Sequence, residues 1–315
     1  MDITHGDKEM RQEFMAVLTE LADRDRRIVF LDSDLASSSG SAAFKKAHPD
    51  RFFNCGIQEA NMVGVAAGLS AGGFVPFAHS FAAFMSRRTT DQIFMSCAYA
   101  KQNVRLIGSD PGVEASPNGG THMALEDIAI MRAIPGVTIL DASDPEMLRQ
   151  ITIQSVERPG VYYFRLTRKT KARLYPNGGT YTIGRAHLAA DYGRDATIIS
   201  AGFTGMVEAL TAAEKLNADG IRVRVVDMFT VNPIDEAAVM AAATETGAVV
   251  TLDNHSVNGG LGSAVAEVIA GKVLVPFRRL GATTFGEVGT PAYLLEKFGM
   301  NAQAVCGVVK ELLKK

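Results

Sequence analysis

The sequence predicts an α/β protein of two domains, each a mostly parallel sheet flanked by helices. Short apolar runs that suit strands, such as "RIVFLDSDL", "VRLIGSD" and "VTILDASD", alternate with helical segments. This alternation is typical of parallel sheets that carry helices on both faces. It is interrupted once and then resumes, and a length of 315 residues suits two domains.

The interrupting stretch, "KARLYPNGGTYTIGRAH", is rich in Gly, Pro and Arg and is interpreted as a linker. We therefore expect a first domain over residues 8–172, a linker over 173–185 and a second domain over 186–315. In the second domain "ATIISAG", "IRVRVVDMFT" and "AVVTLDN" are the expected strands. Ligands in open α/β sheets collect at the carboxyl ends of the strands, so we look for function there.

Composition excludes several classes of function. The formal net charge of −2 gives no basic surplus for nucleic acid or for an anionic membrane. No apolar run reaches the roughly 18 residues of a membrane span, and the N-terminus lacks a signal-peptide core, so we expect a cytoplasmic protein. The cysteines, Cys55, Cys97 and Cys306, are odd in number and far apart, which suits reduced thiols and predicts no metal site within the chain.

One carboxylate, Glu59, precedes the apolar segment "ANMVGVAAGLSAGG". Small residues recur there at spacings of three and four, which permits close helix packing, at Gly64, Ala67, Gly68 and Ala71. An acid at a helix start can simply complement the helix dipole. A helix this apolar is expected to be buried all round. Glu59 would then lie in an interior or an interface, with a raised pKa, and could share a proton with a ligand nitrogen.

The segment "FAHSFAAFMSRRTTDQIF" places aromatic rings after a predicted strand. Phe81 and Phe84 are three residues apart, so they share one face of a helix or turn. Such rings can be ordinary core residues, or they can form a platform for a flat heterocycle.

A long loop rich in Gly, Pro, Asn and Ser follows another predicted strand and ends at His122. Long loops at strand ends of α/β units are disproportionately functional. His122 could donate a proton or a hydrogen bond to a substrate oxygen, or it could be a surface histidine. In "YYFRLTRKTKAR", Arg165 and Arg168 could clamp a phosphate or carboxylate, or belong to a solvated linker.

Two segments carry a resemblance to a known family. "FFNCGIQEANMVGVAAGLSAGGFVPFAHSFAAF" and "GGTHMALEDIAIMRAIPGVTILDASDPEM" resemble the pyrimidine-binding domain of transketolases, and the second unit is similar to the transketolase C-terminal domain. The resemblance covers nearly the whole chain. It implies thiamine diphosphate and Mg²⁺ as cofactors, and transfer of a two-carbon ketol unit from a ketose, in the leading interpretation a phosphate, to an aldose.

The resemblance also implies cofactor contacts. Glu59 matches the glutamate that hydrogen-bonds N1′ of the aminopyrimidine. Phe84, together with Phe81, matches the aromatic pocket around the pyrimidine. Arg87 stands where many transketolases have a tyrosine, and Asp34 lies in the segment that faces the cofactor.

Substrate contacts follow from the same resemblance. His122 matches a histidine that contacts substrate oxygens, and Ser38 lies in the segment that faces the substrate phosphate. Arg168, and less closely Arg165, matches a phosphate-binding arginine.

Two departures from the family pattern concern the substrate. The upstream family histidine is missing, and Ser109 or Asp110 stands near its place. Asn118 replaces an aspartate that helps to read the hydroxyl stereochemistry of the donor. These departures point away from the usual sugar-phosphate donors, while a ketose donor is still expected.

Transketolases bind the diphosphate and the metal through a separate domain with a Gly-Asp-Gly motif, and that motif is absent from this sequence. We therefore expect the C-terminal subunit of a split transketolase. Its N-terminal partner subunit would carry the diphosphate and Mg²⁺ sites. A dimer of heterodimers, with active sites at subunit interfaces, is the assembly that the resemblance suggests.

Three alternatives remain open. Chemistry like that of 1-deoxyxylulose-5-phosphate synthase, or of the beta subunit of a 2-oxoacid dehydrogenase, would release carbon dioxide from pyruvate. The segment "GGTHMALEDIAIMRAIPG" is closer to transketolases. A non-catalytic structural or regulatory subunit is the third alternative, and the presence of Glu59, Phe84 and His122 argues against it.

Overall fold

The structure is a computed structural model that describes residues 3–176 and 178–314. Its strands are β1 (Thr4–His5), β2 (Ile28–Asp32), β3 (Phe52–Asn54), β4 (Val75–Phe81), β5 (Val104–Ser109), β6 (Val137–Asp141), β7 (Val161–Leu166), β8 (Ala172–Arg173), β9 (His187–Asp191), β10 (Ala196–Ser200), β11 (Val223–Asp227), β12 (Thr230–Asn232), β13 (Val249–Ser256) and β14 (Phe277–Ala282). Its α-helices are α1 (Met10–Arg24), α2 (Ala36–Ser39), α3 (Ala42–Ala47), α4 (Glu59–Ala71), α5 (Ala82–Arg87), α6 (Thr90–Gln92), α7 (Asp127–Arg132), α8 (Pro145–Glu157), α9 (Gly202–Ala218), α10 (Glu236–Glu245), α11 (Leu261–Ile269), α12 (Pro291–Lys297) and α13 (Ala302–Leu313). Pro49–Arg51 and Gly112–Asn118 are 3-10 helices, and Ile93–Tyr99 is a π-helix.

The first sheet has the strand order β12-β6-β7-β5-β4-β2-β3, and every neighbouring pair is parallel except β12 with β6. Its strands are apolar on both faces because helices cover both. Phe30 and Phe77 pack with α1 and α8, while Leu31 and Ala78 pack with α4. Such double burial explains the nearly continuous apolar runs in the sequence.

The second sheet has the order β14-β13-β10-β11-β9, and β9 is its antiparallel member. The two mostly parallel sheets with flanking helices confirm the predicted fold class. One connection between them is not evident from the sequence. Strand β12 follows β11 of the second sheet, yet it pairs with β6 of the first.

Helix α4 is not buried all round, contrary to our expectation from its sequence. Met62, Val63 and Ala66 lie in the core, whereas Val65 is exposed. A side chain added at Gly68 would meet no atom within 4 Å. The helix packs one face on β4 and the π-helix. Its outer face, which includes Val65, Gly68 and Ala71, is exposed in this chain, whereas Ala67 of the small-residue stripe is buried.

The register of the first sheet gathers the predicted site residues. Phe81 at the end of β4 pairs with Ser109 at the end of β5, and Ser109 pairs with Leu166 at the end of β7. The carboxyl ends of these parallel strands meet at one edge of the sheet. The loops that begin there therefore start side by side, although they are far apart in the sequence.

Candidate active site

Glu59 is the first residue of α4, and its side chain is 3% exposed. The Ser80 hydroxyl donates to its Oε1 at 3.1 Å, and the Arg88 guanidinium donates to its Oε2 at 3.0 Å. A buried carboxylate must be paired in this way, because an unpaired one is costly. The positive end of the α4 dipole also favours a negative charge at this position.

Three of the predicted residues form an aromatic cluster beside this carboxylate. The Phe81 and Phe84 rings pack edge to face with their centroids 6.1 Å apart. The imidazole of His122 lies 4.9 Å from the Phe84 centroid and 6.1 Å from that of Phe81. Its Nδ1 is 2.9 Å from the Thr121 hydroxyl, which holds the ring orientation.

Arg88, which our sequence analysis did not single out, connects Glu59 with the cluster. Its guanidinium carbon lies 3.9 Å from the Phe84 ring centroid while its NH1 reaches Glu59. A cation over an aromatic face is attracted by the ring quadrupole. The spacing of four residues from Phe84 could have indicated this contact, since residues i and i+4 are neighbours on a helix.

Arg87 points elsewhere. It donates to the Thr121 carbonyl oxygen at 2.6 Å and pairs with Glu126 at 3.1 Å. These contacts tie α5 to the loop that carries His122. A contact between Arg87 and a cofactor stays a prediction.

Arg168 lies at the other side of the aromatic cluster and is 8% exposed. Its guanidinium carbon is 5.1 Å from the Phe81 ring centroid. NH1 donates to the Ser38 carbonyl oxygen at 3.2 Å, and NH2 donates to the Asp110 carboxylate. Its buried Nε has no hydrogen-bond partner among the described residues, so this donor is free for a ligand.

A cavity of about 360 Å³ opens beside Arg168, between the two units. Its polar lining consists chiefly of Asp110, Glu114, Asn118, Thr167, Arg168 and Thr204. Glu114 Oε1 accepts hydrogen bonds from the hydroxyls of Thr167 and Thr204, each at 2.8 Å. Burial, and after it the nearby Asp110 charge, raise the pKa of Glu114 to about 8. Asn118 is placed where it can contact a ligand in this cavity.

Ser109 and Asp110, which the sequence left as alternatives, face different ways. Ser109 is fully buried, and its hydroxyl lies 3.0 Å from Nε2 of His79. Asp110 follows with a left-handed backbone (φ 54°), and this turn aims its carboxylate at Arg168. Asp110 therefore lines the cavity, while Ser109 lies inside the sheet.

The segment after β2, which includes α2, carries the predicted Asp34 and Ser38. Asp34 is exposed and accepts a hydrogen bond from Asn54 at 2.9 Å. The Ser38 carbonyl oxygen accepts from Arg168 and, at 2.8 Å, from Arg11. Arg11 is a second residue that we did not predict. Nothing local marks it, because only the packing of α1 beside this loop brings it to Arg168.

Arg165, the second candidate phosphate ligand, is a structural residue. Its side chain is 1% exposed and pairs with Asp127 at 2.9 Å and Asp141 at 2.5 Å. It also donates to the Asn254 carbonyl oxygen of the second unit at 2.9 Å. Its donors are occupied in joining the two units, so Arg168 is the arginine that a ligand in the cavity can reach.

Over 3–176 and 178–314, no group of three or more His, Cys, Asp or Glu side chains could hold a metal ion. In the same ranges, no helix has the length and apolar character that crossing a membrane requires.

Family comparisons agree with this geometry. Residues 7–172 match the family described as "Transketolase, pyrimidine binding domain", and residues 184–305 match "Transketolase, C-terminal domain". The "6-deoxy-6-sulfo-D-fructose transketolase subunit SqwH" of Clostridium sp. (strain MSTE9) is 46% identical over 97% of this chain and 95% of its own length. The transketolase of Mus musculus is 37% identical over 98% of this chain, which spans 50% of that enzyme.

Solved structures give the same picture. A "Split gene transketolase, inactive beta4 tetramer" superimposes with a TM-score of 0.89 at 39% identity, covering 98% of this chain and 99% of that one. The transketolase from Leishmania mexicana shares the fold, with a TM-score of 0.80 at 19% identity over 99% of this chain and 47% of that one. The resemblance inferred from the sequence is thus confirmed. The chain belongs to the transketolase family, whose transferases depend on thiamine diphosphate.

Proposed function

We propose that this chain is the C-terminal subunit of a split transketolase that moves a two-carbon ketol unit from a ketose to an aldose. The observation behind this proposal is the position of Glu59, a buried carboxylate at a helix start. Among the described residues its only charged partner is Arg88, whose guanidinium carbon lies over the Phe84 ring. A site of this form suits a flat heterocycle with N–H groups.

The residues present fit the pyrimidine end of the cofactor. The Arg88 guanidinium is planar and bears N–H donors, and it is held between an aromatic face and a carboxylate. An aminopyrimidine needs the same two partners, so the guanidinium is its chemical stand-in. Glu59, Phe84 and Phe81 would hold the pyrimidine. When bound, thiamine diphosphate supplies the carbon nucleophile that carries the two-carbon unit between sugars.

Glu59 would hold a proton at the pyrimidine nitrogen. Ser80 fixes Oε1, which leaves Oε2 to face the nitrogen once Arg88 moves away. Arg88 can turn to solvent, because its side chain is 48% exposed, and the pyrimidine nitrogen would replace it as the partner that the buried Glu59 needs. The burial of Glu59 excludes water, which strengthens its hydrogen bond to the nitrogen.

His122 would act on the substrate. Its ring packs against Phe84 and Phe81 and is fixed by Thr121, so a free imidazole nitrogen remains for a substrate oxygen. Such an imidazole can donate a hydrogen bond to a carbonyl or hydroxyl oxygen and can act as a general acid or base.

Arg168, with Arg11 and the Ser38 segment, would bind the far end of the donor. The free Nε of Arg168 suits an anionic oxygen. The name of the relative from Clostridium assigns it a sulfonated ketose, 6-deoxy-6-sulfo-D-fructose. We therefore propose a ketose with a terminal sulfonate or phosphate as the donor, and an aldose as the acceptor.

A partner subunit would complete the site. The diphosphate and Mg²⁺ are proposed to bind mainly to that N-terminal subunit. We propose that the subunit interface is formed by the outer face of α4 together with three exposed apolar side chains of the π-helix, Phe94, Met95 and Tyr99. A dimer of heterodimers is the proposed assembly. The free cysteines suit a reducing compartment, and we propose the cytoplasm.

Reconstitution with a partner subunit tests this function. We expect thiamine diphosphate binding and ketol transfer from the mixed complex, and neither from this chain alone. Tight binding and full turnover by the chain alone would contradict the split enzyme. Release of carbon dioxide from pyruvate would instead favour the synthase-like or dehydrogenase-like alternatives.

Glu59→Gln in the reconstituted complex tests the proton role. The amide keeps the shape of the side chain but cannot hold the proton, so we expect turnover to be lost while the complex still assembles. Glu236→Gln is the matched control, because Glu236 is exposed and pairs only loosely with Lys272 at 3.6 Å. Full activity of Glu59→Gln would contradict the proton role and would leave a structural or regulatory role for this chain open.

A further inference from the structure

We infer, on the basis of the proposed ketol transfer, that the cavity beside Arg168 selects a singly charged anionic end group, such as a sulfonate, over a dianionic phosphate, and that Asp110 sets this selection. Cavity charge is the basis of the inference.

The positive charge of Arg168 is already compensated. NH2 donates to the Asp110 carboxylate, and both side chains are largely buried, with 9% and 12% of their surfaces exposed. An ion pair this close in a poorly solvated place presents little net charge to a ligand. Arg168 still offers its free Nε as a hydrogen-bond donor.

Arg11, which shares the Ser38 carbonyl oxygen with Arg168, is compensated in the same way. Its Nε donates to the Glu9 carboxylate at 2.6 Å, while NH1 is used by the Ser38 carbonyl oxygen. Both guanidinium groups that reach the Ser38 carbonyl oxygen therefore bring their own carboxylate.

Two other ionisable side chains line the cavity. Burial and the Asp110 charge raise the pKa of Glu114 to about 8, which favours the neutral form of this carboxyl. Lys169 is exposed and positive. After the two arginines are cancelled by Asp110 and Glu9, one positive charge is left for the ligand. A ligand with one negative charge balances this positive charge. A second negative charge on the ligand would face the Asp110 carboxylate with no cation left to compensate it.

The backbone fixes Asp110 in this role. Its φ of 54° is left-handed, a conformation that few residues other than glycine adopt and that Asp tolerates better than most. Its N–H donates to the Leu166 carbonyl oxygen at 3.1 Å, two residues before Arg168. The carboxylate is thus locked beside the guanidinium.

The charge of the substrate can be varied without changing the protein. A phosphate monoester loses its second proton with a pKa of about 6, whereas a sulfonate is a monoanion at every pH in this range. Between pH 5.5 and pH 7.5 the monoanion fraction of the phosphate falls about 25-fold. We expect kcat/KM for a sulfonate-ended ketose, divided by that for the matching phosphate, to rise about 20-fold over this range.

Measuring both donors with the reconstituted complex gives this ratio. The ratio cancels any titration in the complex that affects both substrates equally. A flat ratio, with both donors turned over, would overturn the selection by charge. If the complex transferred a ketol unit from neither donor, the proposed function itself would fall, and the selection with it.

Asp110→Asn tests the residue. The amide keeps a partner for Arg168 but removes the charge. We therefore expect the sulfonate-to-phosphate ratio of kcat/KM at pH 7.5 to fall about 10-fold and to depend less on pH. Asp219→Asn, at an exposed pair with Lys310 far along the chain, is the matched loss of one charge. An unchanged ratio in Asp110→Asn, or an equal change in Asp219→Asn, would overturn the role of Asp110. The wild-type pH profile needs no variant, so it decides on the charge selection even if Asp110→Asn does not assemble.

Discussion

Asp227 at the end of β11 is fully buried between the two units, and its replacement by Asn tests whether this carboxyl holds a proton in the folded protein. Its Oδ2 accepts hydrogen bonds from the hydroxyls of Ser143 and Tyr175, the latter at 2.7 Å. Its Oδ1 has no partner among the described residues. Burial raises the pKa of Asp227 from 3.8 to about 7, although both hydroxyls favour the charged form.

The direction in which pH changes the stability follows from the difference in proton binding between the folded and the unfolded protein. Between pH 4 and pH 7 the folded protein keeps this proton and the unfolded chain has lost it, so stability falls as the pH rises through that window. The full shift corresponds to about 4 kcal/mol, of which about 3 kcal/mol falls between pH 5 and pH 8. Asn cannot ionise, so Asp227→Asn should lack this loss.

Thermal unfolding at a series of pH values measures the difference. For a chain of this length, about 3 kcal/mol corresponds to about 4 °C in Tm, if the two units unfold together. We expect the Tm of Asp227→Asn to gain about 4 °C on the wild type between pH 5 and pH 8, whatever constant offset the amide brings. Asp219→Asn, with an exposed carboxylate, is the control. Parallel curves for the variant and the wild type would refute a proton on Asp227.

Three further predictions concern the candidate site and its support. Arg88→Ala removes the side chain that covers Phe84, so we expect calorimetry to show several-fold tighter binding of thiamine diphosphate to the Mg²⁺-loaded complex. Equal or weaker binding would show that Arg88 does not compete with the cofactor for its place on Phe84. Arg165→Ala leaves Asp127 and Asp141 buried without their partner, so we expect urea unfolding to show a free energy of unfolding lower by about 3–5 kcal/mol. A decrease below about 1 kcal/mol would show that water replaces the guanidinium. His122→Ala should lower kcat/KM for the donor by about 10²–10⁴-fold, while the affinity for the cofactor stays unchanged. A loss of cofactor binding instead would make His122 part of the pyrimidine pocket.

The sequence predicted those parts of the fold that have a periodic signal. Strands buried on both faces appear as apolar runs, and their alternation with helices specified both sheets. Strand β12 was not predicted, because its three residues have no periodicity and its partner β6 is far away in the sequence. The outer face of α4 was misjudged, because an apolar helix looks the same whether its last partner is the same chain or another one.

For the site, residue types were predictable and side-chain directions were not. The resemblance pointed to Glu59, Phe84 and His122, and the structure brings them into one cluster. It could not distinguish Arg87 from Arg88, since neighbouring helical residues point about 100° apart and only packing decides which reaches Glu59. Direction also separates Arg165 from Arg168, because Arg165 lies within β7 and points into the protein.

Strand β12 makes the two units inseparable in practice. A fragment that ends at the linker would lack residues 230–232, and the edge of β6 would lose its partner. An open strand edge invites pairing with other chains and so aggregation. Recombination between related subunits would meet the same obstacle, because a first unit from one parent must accept β12 from the other. Swaps that keep residues 137–141 and 230–232 from the same parent should therefore yield folded protein more often than swaps at the linker alone.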